Sequence, residues 1–276
     1  MIDLHTHTNE SDGSLTPQRL VEEAVRAGLE ALGICDHDTL SGYDLAEPVA
    51  RQAGLDLICG IELSTKYHRK SVHLLGYFLS GPPSNGFRNR LQAMQDSRRD
   101  RNRRMIDRLR SLGVEITIEE VEARGRRLAG RPHFAAILVE KGYVKTVKQA
   151  FDDYLDESAK GYVQRLEPTF AEGVEWILEA GGLPSLAHPV RLEGKFRAPL
   201  EELIADMASL GLGGIEVYHH DHTADGAGLY QEMAGRFGMA VTGGSDFHGA
   251  NKPGVILGHS HNGTLEIPRE VLDRLR

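Results

Sequence analysis

The chain is poor in the features that mark specialised protein classes. It has two cysteines in 276 residues, Cys35 and Cys59, each inside an apolar strand-like run. That argues against a disulfide scaffold or a zinc-thiolate site, and both thiols are expected to act as small buried hydrophobes. No apolar run approaches the roughly 18 to 20 residues that cross a bilayer. The N-terminus lacks the basic and apolar regions of a secretory signal, so a soluble, cytoplasmic protein is expected. Positive charge is in deficit, with 32 Lys and Arg against 40 Asp and Glu and a net charge of -8. Such a surface does not trap nucleic acid indiscriminately, although local basic patches remain allowed. What the chain does have is an ordinary globular balance, 40% hydrophobic and 26% charged, and thirteen histidines.

Short apolar runs alternate with amphipathic stretches. Met1 to Leu4 leads through a helix, opened by Thr16-Pro17 and closed by Gly28, to the run Ala31 to Cys35. Helices over 43–53, 170–180, 200–210 and 229–237 precede strands over 57–63, 183–187, 215–218 and 239–242. With 72–78 the expected strands number seven, and their alternation with helices predicts an α/β fold built on a parallel sheet. Eight residues, 64–71, separate two of the strands. They are too few for a crossover helix of a dozen or more, so these strands are expected to pair as an antiparallel hairpin.

From about Gly81 to about Gly161 the pattern is helical throughout: 87–112, 118–124, 133–140 and 146–155. This predicts a helical insertion over 81–161, with 1–80 and 162–276 forming the main domain. Between Arg88 and Arg110 it carries nine arginines against Asp96, Asp100 and Asp107. Two readings stand: a solvated face laced with pairs such as Asp100 with Arg104, or a patch that meets an anion.

Histidines and carboxylates sort to the strand ends: His5 and His7, His37, Glu62, His188, Glu216, Asp246 and His248. His73 opens the second hairpin strand, which brings it to the same edge. Parallel α/β folds carry their chemistry there. His5-x-His7 and Asp246-x-His248 each place two side chains on one face of an extended segment, and Asp12 follows the first pair. Imidazole and carboxylate together suit manganese, zinc or iron, and nine such groups exceed what one ion can use. Two or three divalent ions are implied.

The set His5-x-His7, Asp12, Asp36-His37-Asp38, Gly60-x-Glu62, His73, His188-Pro189 and Asp246-x-His248 resembles the motifs of the PHP (polymerase and histidinol phosphatase) phosphoesterase superfamily. The resemblance runs over nearly the whole chain. It implies a distorted seven-stranded, TIM-like (βα) barrel with a trinuclear metal site. The insertion, Gly130-Arg131-Pro-His133-Phe134, Gly161-Tyr162-Val163 and His188-Pro189-Val-Arg191 look like the subgroup of 3′,5′-nucleoside bisphosphate phosphatases, some of which are 5′ to 3′ exoribonucleases.

By that resemblance His5, His7, Glu62 and Asp246 hold one ion, Glu62 bridges to a second held by His73 and His188, and Asp12, His37 and His248 hold the third. Asp12, His37, Glu62 and His248 then serve catalysis through the bound ions. Glu216 fits a supporting role, and Asp36 or Asp38 is expected to orient an imidazole. His219, His220 and His222 are candidates to reach substrate, whereas His68, His259 and His261 read as surface loop residues. Arg98, Arg101 and Asn102, three and four residues apart on one helical face, are expected to bind phosphate with Arg131, His133 and Arg191.

Divalent ions lower the pKa of bound water towards about 7, supplying hydroxide for in-line attack on phosphorus without a side-chain nucleophile. The expected substrate is the 3′-phosphate of a nucleoside bisphosphate, or short RNA taken from its 5′ end. No DNA duplex, membrane or obligate protein partner is implied. The alternatives are a histidinol-phosphate phosphatase or other small phosphomonoesterase, and, in a different class, a metal-dependent RNA-binding module without catalysis. A polymerase-associated nuclease shares the site, but these 276 residues have no room for a polymerase.

Overall fold

The computed structural model describes residues 1–125, 129–165 and 167–276. Seven strands lie side by side in chain order: β1 (Ile2–Thr6), β2 (Ala31–Ile34), β3 (Asp56–Tyr67), β4 (Lys70–Phe78), β5 (Leu183–Leu186), β6 (Gly214–Tyr218) and β7 (Ala240–Gly243). β4 runs antiparallel to both neighbours, and every other pairing is parallel. The sheet curls until the segment after β7 meets β1. There Asp246 N–H donates to His5 O at 2.8 Å and His7 N–H to Phe247 O at 2.9 Å. Gly244 makes this approach possible, because a Cβ on it would overlap the backbone of His5.

The hairpin exists and is longer than the apolar pattern indicated. Its strands continue through the polar residues Ser64 to Tyr67 and Lys70 to Ser71 to a two-residue turn, where His68 (φ 44°) and Arg69 (φ 67°) are both left-handed. That turn matches the right-handed twist of a two-stranded ribbon. Ser64 and Thr65 are buried on opposite faces and Tyr67 joins the core, so backbone pairing and burial together carry these strands past the apolar pattern. The register sets His73 opposite Ser64, which brings the imidazole to the edge where the parallel strands end.

Helix boundaries follow local chemistry. In α1 (Pro17–Arg26) Thr16 caps the Arg19 N–H and Pro17 fills the first turn, and Gly28 (φ 76°) ends the run. After α2 (Ser41–Ala53), Gly54 supplies a left-handed cap.

Among the described residues of 81–161 there are four helices: α3 (Asn85–Ser111), α4 (Ile118–Gly125), α5 (Arg131–Glu140) and α6 (Val147–Ala150), which passes into a π-helical turn over Phe151–Leu155. α3 spans two hydrophobic clusters. Phe87, Leu91 and Met94 pack with the strands and outer helices of the sheet, whereas Met105, Ile106 and Leu109 pack with α4, α5 and the π-turn. Its middle turns therefore lie between the two cores, over the sheet edge.

The remaining helices, α7 (Phe170–Glu179), α8 (Leu200–Ser209), α9 (Ala224–Phe237) and α10 (Glu270–Asp273), return the chain to the sheet. Thr169 and Glu172 form a reciprocal capping box at the start of α7. Among the described residues, no helix is long and apolar enough to cross a membrane.

Candidate metal and phosphate site

The strand ends converge on Glu62. Its Oε2 lies 3.3 Å from His5 Nε2, 3.1 Å from His7 Nε2 and 3.3 Å from His37 Nε2. Its Oε1 lies 2.8 Å from His73 Nδ1 and 2.9 Å from His188 Nε2. β2 and β3 set this up beyond their regular pairing, since Asp38 N–H donates to Glu62 O and Glu62 N–H to Asp36 O. Asp246 Oδ1 stands 3.6 Å from His5 Nε2 and 3.3 Å from His7 Nε2, and those two nitrogens are 3.1 Å apart. On the other side Asp12 Oδ1 is 3.2 Å from His248 Nε2, with His7 and His37 next to it.

These donors form three groups: His5, His7, Glu62 and Asp246; His7, Asp12, His37 and His248; and His37, Glu62 and His73. A tetrahedral ion with bonds of about 2.0 to 2.2 Å has ligand atoms about 3.3 to 3.6 Å apart. The five distances given for the first group, 3.1, 3.1, 3.3, 3.3 and 3.6 Å, fall in or just below that range, so the donor set fits a divalent ion.

All nine expected donors come together. The grouping differs at two points: His37 joins Glu62 and His73 where His188 was expected, although His188 still reaches Glu62 Oε1, and His7 joins Asp12, His37 and His248 as well as its own group. The ring of His37 lies between Asp12 and Glu62, which gives it access to two groups.

Protonation is ordered by burial and charge. Burial opposes charge on His5 and His7. Glu216, Glu62 and Asp246 outweigh it at His5, holding the ring well above its usual value, and Asp246 and Glu62 raise His7 to about 9. Burial takes His37 down to about 4. Asp12 and Glu62 are pulled well below the usual carboxylate range by the imidazoles despite their burial, and Asp246 by Lys252 and the imidazoles. The carboxylates thus stand ionised, as ligation requires, and an ion entering beside His5 and His7 would have to displace the protons that these carboxylates favour on the rings.

Supporting contacts set the tautomers. His5 Nδ1 meets Glu216 Oε1 at 2.8 Å, leaving Nε2 for the centre, and the other oxygen of Glu216 accepts the His188 N–H at 2.7 Å. His248 Nδ1 donates to Asp246 O at 2.8 Å. Glu216→Ala is expected to weaken divalent-ion binding by about 10- to 100-fold, the usual effect of losing an orienting carboxylate, measured by calorimetric titration.

Asp36 and Asp38 do not orient imidazoles. Asp36 accepts from Thr8 N–H and Oγ1 and from Ser11 Oγ at 2.6 to 2.7 Å, fixing the loop that presents Asp12. Asp38, at φ 55°, accepts from Ser64 N–H and Oγ and pairs with Arg98 and Arg165. The residue after His37 therefore ties the metal donors to an arginine cluster.

That cluster lines one cavity with Asp12, His37 and His73. Its walls include Lys66, Arg98, Arg101, Arg131, His133, Arg165 and Glu167, with Phe151, Tyr162 and Val163 on the apolar side. Arg101 is 4% exposed and its Nε has no partner. Burial and the charges of Arg98, Arg165 and Arg131 push its pKa well down. Arg131 lies over the Tyr162 ring at 5.9 Å. His133 Nδ1 accepts the Gly130 N–H at 2.9 Å, which in the neutral ring puts the proton on Nε2.

Asn102 faces away from this cavity and donates to Ala129 O at 2.7 Å. Arg191 sits on the metal side, bound to Asp221 and to Asp246 Oδ2. His219 Nε2 is 3.5 Å from Asp246 Oδ2. His222 donates to Val217 O from beneath, with burial lowering it to about 4. His68 is exposed, but His259 and His261 are partly buried in the closing turn. Arg165, Lys66 and Lys252 carry no motif; Lys66 reaches the site from the extended end of β3, and Arg165 and Lys252 reach it from loops.

Six of the nine arginines in the run fall into three populations, and Arg88 and Arg90 pair with Asp44 and Glu179. Arg98 and Arg101 face the cavity. Arg104, Arg108 and Arg110 donate to the carbonyls of Gln164, Lys160 and Ile116. Arg103, rather than Arg104, pairs with Asp100 at 3.4 Å.

The PHP domain family matches residues 3–167. The chain is 32% identical over 263 residues to a 3′,5′-nucleoside bisphosphate phosphatase of Chromobacterium violaceum, covering 95% of this chain and 92% of that one. It is 32% identical to a 5′-3′ exoribonuclease of Haemophilus influenzae, covering 89% of each chain. A phosphoribosyl 1,2-cyclic phosphate 1,2-diphosphodiesterase of Eggerthella lenta is also 32% identical, over 90% of this chain and 94% of that one. A solved structure from Bifidobacterium adolescentis, described as a metal-dependent phosphoesterase, superposes with a TM-score of 0.85 at 33% identity over 99% of this chain and 94% of that one.

Proposed function

This chain belongs to the PHP domain family and is a metal-dependent phosphoesterase, and on that premise we propose that it removes the 3′-phosphate of 3′,5′-nucleoside bisphosphates. Residues 81–161 act as the cap that selects them. The observation that carries the reading is Arg101: a buried guanidinium without a carboxylate partner among the described contacts, in the same cavity as metal donors. Uncompensated buried charge is costly, and a phosphate dianion offsets it.

His5, His7, Asp12, His37, Glu62, His73, His188, Asp246 and His248 would hold two or three divalent ions. Bound there, such ions activate water and neutralise phosphate oxygens. Arg98, Arg101 and Arg131 bind a second phosphate with fork geometry, and His133 Nε2–H adds a neutral donor. Asp38 fixes the distance between the two phosphates, since it follows His37 and holds Arg98. In the overall hydrolysis water adds to phosphorus, the P–O3′ bond breaks, and the 3′-oxygen leaves with a proton.

The 3′-phosphate of a bisphosphate occupies the place of the first phosphodiester in an RNA with a 5′-phosphate. The same anchoring therefore suits removal of nucleotides from the 5′ end of short RNA, in line with the exoribonuclease among the relatives.

Phosphate release from 3′,5′-bisphosphoadenosine, 3′-adenosine monophosphate and histidinol phosphate tests this with manganese-loaded protein. The bisphosphate is expected to lead in kcat/KM by about 10²-fold, the scale of one buried charged contact. Equal turnover of all three would overturn the two-phosphate reading, and binding of RNA with no phosphate or nucleotide released would point to a non-catalytic module.

A further inference from the structure

The three carboxylates among the donors differ in their surroundings. Glu62 is ringed by imidazoles, and Asp12 faces His248, His7 and His37. Asp246 meets permanent cations as well. Its Oδ1 faces His5 and His7, while its Oδ2 receives Lys252 Nζ at 2.5 Å and Arg191 Nη2 at 3.0 Å. Arg191 is shared with Asp221, at 2.9 and 2.6 Å, whereas Asp246 is the carboxylate recorded against Lys252.

The placement of Lys252 is built into the fold. Ser14 N–H donates to His248 O at 3.0 Å. Ala250 N–H donates to Ser14 Oγ, and Asn251 Nδ2 to Asp12 O, both at 2.8 Å. Gly249 (φ 62°) sits against Ser14 where a Cβ would collide. The turn that carries Lys252 is thereby pinned to the loop that carries Asp12, and the Lys252 side chain stays 34% exposed at the rim.

We infer that Lys252 is an internal counter-cation to Asp246, a positioning residue that weakens the hold of the His5, His7, Glu62 and Asp246 group on its divalent ion and makes that ion the exchangeable one. The inference rests on the metal-dependent reading of the site. Without an ion, the ammonium offsets the buried charge of Asp246 and keeps the carboxylate in its strained position at φ 58°. With an ion bound, the ammonium either stays and repels it or swings into water and loses its partner. Each costs binding free energy. Among the described residues no Lys or Arg pairs with Asp12 or Glu62 in this way.

Calorimetric titration of Mn²⁺ into chelator-stripped full chain tests this, with thermal midpoints measured before and after loading. In Lys252→Met one ion is expected to bind about tenfold more tightly, a conservative figure for removing a like charge near the ion at partial exposure, while the ion-free midpoint falls. Lys252→Arg retains the charge and is expected to stay near wild type, and Lys252→Gln serves if the methionine variant does not fold. Unchanged or weaker affinity in the neutral variants would overturn the inference, whatever happens to the midpoint. A wild-type protein that binds no Mn²⁺, Zn²⁺ or Fe²⁺ would overturn the phosphoesterase reading instead.

Discussion

Replacing Glu62 with alanine is expected to lower phosphate release by roughly 10³-fold or more, the several kcal/mol that ion-assisted hydrolysis supplies. Glu62 is shared by two of the three donor groups, and five imidazoles from four chain segments point at its two oxygens. Its loss strips a ligand from both groups, so calorimetric stoichiometry should fall together with turnover. Asp12→Ala touches one group and should remove fewer ions. Full turnover by Glu62→Ala, or unchanged ion stoichiometry, would contradict the assignment of Glu62 as the shared ligand.

Arg101→Met is expected to act in opposite directions on function and stability. Methionine roughly keeps the apolar length of the side chain while removing a charge buried among Arg98, Arg165 and Arg131, all lining one cavity. The cation is the disfavoured form there, so its removal relieves repulsion and the ligand-free melting midpoint should rise by a few degrees, roughly what 1 kcal/mol produces in a chain of this size. Turnover of the bisphosphate should fall by about 10²-fold in kcat/KM, the cost of truncating a buried charged contact. Hydrolysis of a nucleoside 3′-monophosphate, which lacks the second phosphate, should change little. A fall of equal size for both substrates would place Arg101 at the scissile phosphate and not at the second one. Sites that bind polyanions often trade stability for function in this way.

The candidate metal donors are legible in the sequence because ligand chemistry is local. His5 and His7, or Asp246 and His248, share a face through the two-residue period of an extended chain, and the alternation of strands and helices brings strand ends to one edge. The hairpin was legible from a connection too short for a crossover, and with it the position of His73. The hairpin's length was not, because Ser64 to Tyr67 are held by backbone pairing that leaves no apolar pattern. The arginines of α3 were also ambiguous: nine similar cations in 23 residues differ only in what the rest of the chain brings to each face of the helix. Asn102 illustrates this, since its spacing matches Arg98 while its amide is taken by Ala129.

By itself, then, the sequence determined the barrel class, the nine candidate donors and the presence of a basic helical insertion. The tertiary structure decided how charge is distributed. It assigned Asp38 to Arg98 and Arg165, Glu216 to His5 and Lys252 to Asp246, and among the described residues it gave Arg101 no ion pair, only the charge of Glu167 across the cavity. The reason is one of range. A ligand's identity and its strand position are properties of a few neighbouring residues, whereas the compensation of a buried charge depends on how separate segments pack: Arg165 and Asp38 are 127 residues apart, and even Lys252 meets Asp246 through a turn pinned to the distant Ser14.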